Sequence, residues 1–377
     1  MQQGYRDTVV AAACLGLVYL GDALIYVVLP LYPEAFGVET AAVAILLSVN
    51  RVIRIIGYGW VSPLARRVGA RTLTAWACAT AAISTLCYGL ATGFVVLFLA
   101  RVAWGAAFGV LNLTNTAYAY GDGRGAGTRV GLSRAISALG LIFALGLGGW
   151  FVTMVGPQHV FVIYGLIGLP AIPLALMLPR LRYAVGDVAV AARTRWTPSA
   201  LNILFFVIAL GADGVFAATL STLLADILPV TSAVIGAGLL LAAHRVIQVL
   251  LSFASGPLVD RLQVRRVIGP CGIAIAAGLL AIALGHIYLG AAILIFARAA
   301  FAVIGPVIAA GQSSDRIGAL AAYATWSDCG LAAGAFIGIV GMEWAGTATT
   351  YALLAGATVA AVFWLRLRAA VPPPTRA

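Results

Sequence analysis

Lysine is absent from this 377-residue sequence, and charged residues of all kinds make up only 9% of it. A typical soluble domain carries about 25% charged residues. All 23 basic residues are arginines, and only 12 acids accompany them, which leaves a formal charge of +11. So few charges cannot cover a water-facing surface of this size. An ordinary soluble fold is therefore excluded.

The basic balance does not indicate nucleic-acid binding. A nucleic-acid surface usually mixes lysine with arginine and lies on a solvated face. The arginines of this chain lie between or inside long apolar runs instead. We expect no nucleic-acid partner.

Motifs for metal binding and catalysis are also missing. The five cysteines fall inside apolar runs without a CxxC pair, which favours small core residues over metal ligands or disulfides. No phosphate-binding loop, HExxH zinc motif or Ser–His–Asp arrangement occurs. We therefore expect no cofactor and no catalytic site. A membrane-embedded enzyme or receptor is the weakest alternative, because it also lacks a soluble domain.

Apolar residues make up 63% of the chain and run in blocks of about 20 residues, the length of a helix that crosses a bilayer. A cleavable signal peptide is not expected, because the first run is longer than a signal core and lacks a small-residue cleavage pattern. Turns and charges divide the chain into twelve predicted spans. They are 8–30, 41–61, 73–93, 95–119, 129–151, 159–179, 200–224, 232–255, 267–285, 290–311, 317–341 and 348–368.

The longest polar interruption, 180–199, separates six spans from six. It predicts an N-terminal half at 1–179 and a C-terminal half at 200–377, joined by a cytoplasmic linker. Every arginine outside the spans falls on the side of this linker, and the opposite loops contain none. The positive-inside rule then places both termini in the cytoplasm of a multi-pass inner-membrane protein.

The two halves repeat each other in the same direction. Span 2 reads Asn-Arg-Val-Ile-Arg from Asn50, and span 8 reads His-Arg-Val-Ile-Gln from His244. Two parallel six-helix halves enclose a central cavity suited to alternating access. Other matching residues are Asp22 with Asp213, Arg101 with Arg298, Ser137 with Ser327 and Gly140 with Gly330.

Charged side chains inside the spans need an explanation, because each costs about 2.5–3.5 kcal/mol in the hydrocarbon. One interpretation is three structural Asp–Arg pairs, with the surplus arginines reaching an interface. The other is a polar cavity with a function. Apart from Arg129, Arg366 and Arg368, which stand at the linker-side ends of their spans, the residues concerned are Asp22, Arg51, Arg54, Arg101, Arg134, Asp213, Arg245, Arg298 and Asp328.

A binding site for anions is predicted at mid-depth. Arg51 and Arg54 share one face of span 2 with Asn50, and His244 and Arg245 occupy the matching depth of span 8. Guanidinium groups bind carboxylate and phosphate with two parallel hydrogen bonds, so we expect a small organic anion or zwitterion. Further candidate contacts are Arg101, Asn112, Asn115, Arg298 and Trp326, although the two asparagines equally fit hydrogen bonds between helices.

Proton coupling is predicted at Asp22, Asp213, His244 and Asp328. Burial disfavours an ionised carboxylate and a nearby arginine favours it, so a neighbour that moves can load and unload a proton. Histidine titrates near neutral pH. Fixed ion pairs remain an equal alternative for each aspartate.

Two motifs carry a resemblance to a known family. The loop at 256–265 reads GPLVDRLQVR, and its first-half copy at 62–71 reads SPLARRVGAR; in span 4, Arg101 is followed by Gly105. With the duplication and the topology, these motifs resemble the major facilitator superfamily over essentially the whole chain. The resemblance implies an all-α membrane protein with twelve transmembrane helices in two parallel six-helix halves.

The resemblance also implies a secondary transporter that works by alternating access, with a small-molecule substrate and protons as partners. We expect a monomer. The Arg101 motif is similar to that of proton antiporters, which favours export. The alternatives are a multidrug efflux antiporter and an uptake symporter for a carboxylate or siderophore-like ligand. The paired loops would form a conformational latch, although Arg66 replaces the acid of the family pattern. The latch residues are Arg66, Arg67, Arg71, Asp260, Arg261 and Arg265.

Overall fold

The computed structural model describes residues 2–120, 126–180, 199–261, 264–311 and 316–370. All regular structure within these ranges is helical. We number the helices α1 to α12 by predicted span, and the prediction of twelve spans is confirmed. Their bounds are Gln2–Val28, Thr40–Val68, Ala70–Leu90, Phe94–Tyr120, Ala126–Val155, His159–Gly168 continued by Ala171–Leu176, Ala200–Ala225, Val230–Arg261, Val264–Ala283, Ile287–Gly311, 316–345 and 347–370.

Glycine and proline interrupt the helical chain at several points. Gly346 has φ 78°, a left-handed value that separates α11 from α12 within one otherwise continuous helical run. Gly69 has φ 84° and ends α2 one residue before α3 begins. Pro170 interrupts α6, since proline lacks the N–H that an unbroken helix needs. The helices are long and apolar enough to cross a bilayer when the two pieces of α6 are taken together, and the apolar part of α9, Val267–Ala283, is shorter.

Helix α7 is irregular in its middle third. Residues Ala209–Val215 form a π-helix between the α-helical segments Ala200–Ile208 and Phe216–Ala225. The corresponding part of α1 is continuous α-helix. π-Helical turns are rare and are frequently found at functional sites, and this one carries Asp213.

The helices pack as two groups of six, as the fold expected from the resemblance requires. In the first group α1 packs on α4, α5 and α6; in the second α7 packs on α11 and α12, and α9 packs on α10 and α12. The main contacts between the groups are those of α5 with α8 and of α2 with α11. The linker predicted at 180–199 lies almost entirely outside the described residues.

We call the end of the bundle that contains Pro179 and Ser199 the linker end, and the end that contains the turns at 29–39, 156–158 and 226–229 the distal end. In the distal half, glycines allow backbones of the two groups to touch. A Cβ at Gly238 of α8 would lie 2.4 Å from the Leu145 carbonyl oxygen of α5. Helix α1 also contacts Phe216–Ala225, the distal part of α7. These contacts close the distal side of the molecule.

Candidate functional site

A cavity of about 80 Å³ lies at mid-depth between the two helix groups. Helices α1, α2 and α5 line it from one group, and α7, α8, α10 and α11 line it from the other. Both groups contribute charged side chains, although the surrounding helices are strongly apolar. The polar lining consists of Tyr19, Asp22, Tyr26, Asn50, Arg51, Arg54, Asp213, His244 and Arg245.

Asp22, the first aspartate of the cavity lining, forms an ion pair with Arg101. Asp22 accepts hydrogen bonds from Arg101 Nη1 at 2.5 Å and from Asn50 Nδ2 at 2.6 Å. Arg101 has no solvent exposure, and its Nε donates to the carbonyl oxygen of Leu46 at 2.9 Å. Arg101 does not line the cavity itself. The pair is neutral by formal charge, and it presents only its carboxylate side to the cavity.

The second group of helices repeats this pair. Asp213 on the π-helical segment of α7 accepts from Arg298 of α10, with Nε at 2.6 Å and Nη2 at 2.5 Å from the same carboxylate oxygen. The helix pairs α1–α4 and α7–α10 correspond to each other in the two repeats. The correspondence of Asp22 with Asp213, predicted from the sequence, thus extends to their partners.

A third ion pair crosses between the helix groups. Arg54 Nη2 on α2 binds Asp328 Oδ1 on α11, and these residues are 274 positions apart in the chain. The Arg54 guanidinium also lies over the Phe108 ring, 4.6 Å from its centroid. This pair ties the two groups together at the edge of the cavity.

Two arginines of the cavity have only neutral hydrogen-bond partners among the described residues. Arg51 Nε donates to the Tyr26 hydroxyl at 3.2 Å, and its guanidinium lies 5.4 Å from the centre of that ring. Arg245 Nη1 donates to Gln248 Oε1 at 3.0 Å on its own helix. Asp213 lies within electrostatic range of Arg245, but the hydrogen bonds of this carboxylate go to Arg298.

The charges at the centre of the bundle therefore do not balance. Among the residues that the structure describes, five arginines and three aspartates meet there, and each aspartate is engaged by one arginine. By formal charge, two positive charges are left, and Arg51 and Arg245 carry them. A buried excess charge is expensive in a low-dielectric interior. The described part of the cavity therefore has a net positive formal charge.

The other predicted contacts lie away from the cavity lining. Asn115 Oδ1 accepts from the Ser133 hydroxyl at 2.9 Å, so this asparagine joins α4 to α5. Trp326 packs edge-on against Phe206. Arg134, a charge inside span 5 that was not a predicted contact, is exposed on α5. Asn112 is likewise not part of the lining.

The latch residues are only partly described. Arg67 is exposed and Arg71 half-buried near the turn at Gly69. The side chains of the remaining members lie outside the described part of the chain, so the latch stays a prediction. They are Arg66, Asp260, Arg261 and Arg265.

Two tyrosines of the site were not predicted. Tyr19 and Tyr26 lie three residues before and four residues after Asp22, which places them on the same face of α1. That spacing was a usable signal, because a helix that turns one aspartate toward a cavity turns these neighbours toward it as well.

Glycine spacing positions the polar residues. A Cβ at Gly105 would lie 2.4 Å from the Asn50 carbonyl oxygen, so only glycine lets α4 approach α2 at this level. Arg101 is one helical turn earlier on α4 and reaches Asp22 beside Asn50. The Arg–Gly spacing in span 4 therefore has a packing reason in this chain.

Sequence comparison agrees with this architecture. The family model of the Major Facilitator Superfamily matches residues 11–201, just over half of the chain. The chain belongs to the Major Facilitator Superfamily. No curated protein sequence matches it.

Solved structures of superfamily transporters share the fold over nearly the whole length. The nucleoside transporter NupG aligns with a TM-score of 0.74 at 14% identity, covering 99% of this chain and 100% of that one. The human organic anion transporter MFSD10 aligns with a TM-score of 0.66 at 16% identity, covering 96% of this chain and 99% of that one. A bacterial homologue of the human lysosomal transporter Spinster aligns with a TM-score of 0.65 at 17% identity, covering 96% of this chain and 94% of that one.

At these identities the structural likeness shows the fold alone. Family membership and fold together make this chain a multi-pass membrane transporter with a small-molecule substrate. They also point away from an enzyme.

Proposed function

We propose that this superfamily member is a secondary transporter that carries a small organic anion or zwitterion through the central cavity. The observation that carries the proposal is the pair of arginines, Arg51 and Arg245, that remain after the three ion pairs are formed. A lipophilic-cation pump would need net acidity in its cavity. The excess of arginine therefore disfavours the multidrug alternative.

Proton coupling is the second part of the proposal. Asp328 on α11 holds Arg54 on α2, and this ion pair is one of the links between the helix groups. Protonation of Asp328 would remove its charge and release Arg54, which weakens the link at one step of the cycle. Asp22 and Asp213 each bind an arginine of their own group, and they are the further candidates for proton binding. His244 is a fourth.

The orientation rests on the distribution of arginine. Arg67 and Arg71 lie at the linker end, as do the arginines of the linker itself. We place this end and both termini in the cytoplasm of an inner membrane. The distal end then faces outward. We propose export in exchange for protons on the Arg101–Gly105 resemblance, with uptake together with protons as the competing direction.

A flux experiment tests this function. Proteoliposomes with the purified protein should take up radiolabelled succinate, and an imposed pH gradient should drive its accumulation. Asp328→Asn should retain exchange of succinate down its own gradient but lose the acceleration by protons, because the carboxyl group that changes charge is gone.

Three results would contradict the proposal. Tetraphenylphosphonium carried in place of succinate would show a cation pump. A succinate flux that does not change with the imposed pH gradient would exclude proton coupling. If the pH gradient accelerates succinate flux equally in Asp328→Asn and in the unmodified protein, proton coupling depends on another residue. Glu343→Gln, at an exposed site near the distal end, is the matched control for removal of a carboxylate.

A further inference from the structure

Arg51 and Arg245 come from opposite helix groups and face one cavity. Arg51 lies on α2 and Arg245 on α8, and both line the space between the groups. Their guanidinium groups are within electrostatic range of each other. Two like charges therefore repel across the interface along which the groups must move.

Neither arginine has a carboxylate among its hydrogen-bond partners in the described chain, although Asp213 lies within electrostatic range of Arg245. The hydrogen bonds of both arginines within the described chain go to neutral oxygens, the Tyr26 hydroxyl and the Gln248 amide. The nearby carboxylates of Asp22 and Asp213 are engaged by other arginines at 2.5–2.6 Å. A single negative charge would neutralise one guanidinium and leave the other half-buried and without a hydrogen-bonded counter-charge.

We propose that the substrate is a small dianion that places one negative charge on Arg51 and the other on Arg245. This inference rests on the proposed function, since it specifies the charge of the transported anion. Each guanidinium has planar donors that suit a carboxylate or phosphate group. Bound in this way, the dianion joins α2 of one helix group to α8 of the other.

The bridge has a consequence for transport. In the empty protein, the repulsion between Arg51 and Arg245 opposes close approach of the two groups around the cavity. A dianion replaces that repulsion with two attractions, one on each side. A monoanion provides only one such attraction, to Arg51 or to Arg245. The occupied cavity should therefore close around a dianion more readily than around a monoanion of the same size.

Binding of matched probes to the full-length protein in detergent tests the proposal. Succinate and butyrate have the same four-carbon length but differ by one carboxylate, and propyl phosphate carries its two charges on one group. At about pH 7.5 carboxylates are ionised. We expect succinate to bind about 10–100-fold more tightly than butyrate, the factor that one additional charge-assisted hydrogen-bonded contact provides. Isothermal titration calorimetry measures each affinity.

Variants separate a binding role from a structural one. Arg51→Gln and Arg245→Gln should each reduce the preference for succinate over butyrate to about threefold or less, and the double variant should lose it. Arg51→Lys and Arg245→Lys keep the charge and should keep most of the preference, which provides a test if the glutamine variants do not fold. Arg134→Gln removes an exposed arginine of α5 and should change nothing.

The outcomes distinguish the two proposals. Equal affinity for succinate, propyl phosphate and butyrate would overturn the dianion while leaving anion transport intact. Tetraphenylphosphonium binding with all three anions inert would overturn both. If only one of the two dianions outcompetes butyrate, the proposal holds and that probe identifies dicarboxylate or phosphate ester as the class.

Discussion

At the scale of single residues, the membrane interior of this protein is organised by arginine. Arg101 has no exposed surface and is tolerated because Asp22 and two neutral oxygens take its hydrogen bonds. Arg298 and Arg54 have carboxylate partners in the same way. Removal of one member of such a pair leaves an uncompensated buried charge, which costs more than loss of the whole pair.

Asp22→Asn should therefore be strongly destabilising. It leaves the Arg101 charge without its carboxylate, and we expect a loss of about 3 kcal/mol or more. The double variant Asp22→Asn with Arg101→Gln should be more stable than Asp22→Asn alone, because the unpaired charge is gone. Thermal unfolding in detergent measures both. Glu343→Gln serves as the control, and a double variant no more stable than Asp22→Asn would show that the pair does not act as a unit.

At the scale of helices, glycine sets which pairs can pack. A Cβ at Gly140 of α5 would lie 2.0 Å from the carbonyl oxygen of Gly16 on α1. In the second group a Cβ at Gly330 of α11 would lie 2.2 Å from the Phe206 carbonyl oxygen on α7. These contacts join corresponding helices, so the repeat seen in the sequence as Gly140 with Gly330 is a repeat of backbone contacts.

Gly140→Ala should disrupt the α1–α5 contact, since the new methyl group meets backbone that cannot rotate away. We expect a loss of about 1–3 kcal/mol from overpacking. Gly131→Ala on the same helix has open space and is the matched control. It should be neutral or stabilising by up to about 1 kcal/mol, because alanine favours helix more than glycine does. Unfolding temperatures that are equal for the two variants would contradict this account.

At the scale of the whole molecule, the two helix groups touch along α5–α8 and α2–α11. The distal contacts are backbone to backbone, with a Cβ at Gly149 2.6 Å from the Ile235 Cα and one at Gly238 2.4 Å from the Leu145 oxygen. Such contacts require the groups to be close together at the distal end. Alternating access requires them to separate there in another part of the cycle.

Gly238→Ala should shift the population toward a form that is open at the distal end, because the methyl group acts as a wedge between the groups. A cysteine at Ala217, which lines the cavity, would report this in a variant without the five native cysteines. We expect labelling by an impermeant maleimide from the distal side to rise about tenfold, as a shift of roughly 1.4 kcal/mol would give. Gly131→Ala should leave the rate unchanged. No change in either variant would mean that these glycines do not control distal closure.

Much of the fold was readable from the sequence because it follows from local chemistry. Apolar runs of membrane length set the number of helices, and the internal repeat predicted the pairing of corresponding residues. The polar residues at mid-depth were readable as well, since a charge in an apolar run stands out. Asn50, Arg51, Arg54, Asp22, Asp213, His244 and Arg245 were all predicted from the sequence as site residues, and all line the cavity.

The number of helices and the excess of arginine over aspartate within them follow directly from the amino-acid sequence. Which arginine pairs with which aspartate depends on how the helices pack. Arg54 finds Asp328 across 274 residues, and Arg101 turns away from the cavity while Arg51, on the facing helix, turns toward it. The reason is physical: helical spacing fixes the face a residue shares with its neighbours, but the rotation of each helix depends on packing against the others. The two arginines left without a carboxylate could therefore be identified only when all the pairs were in place.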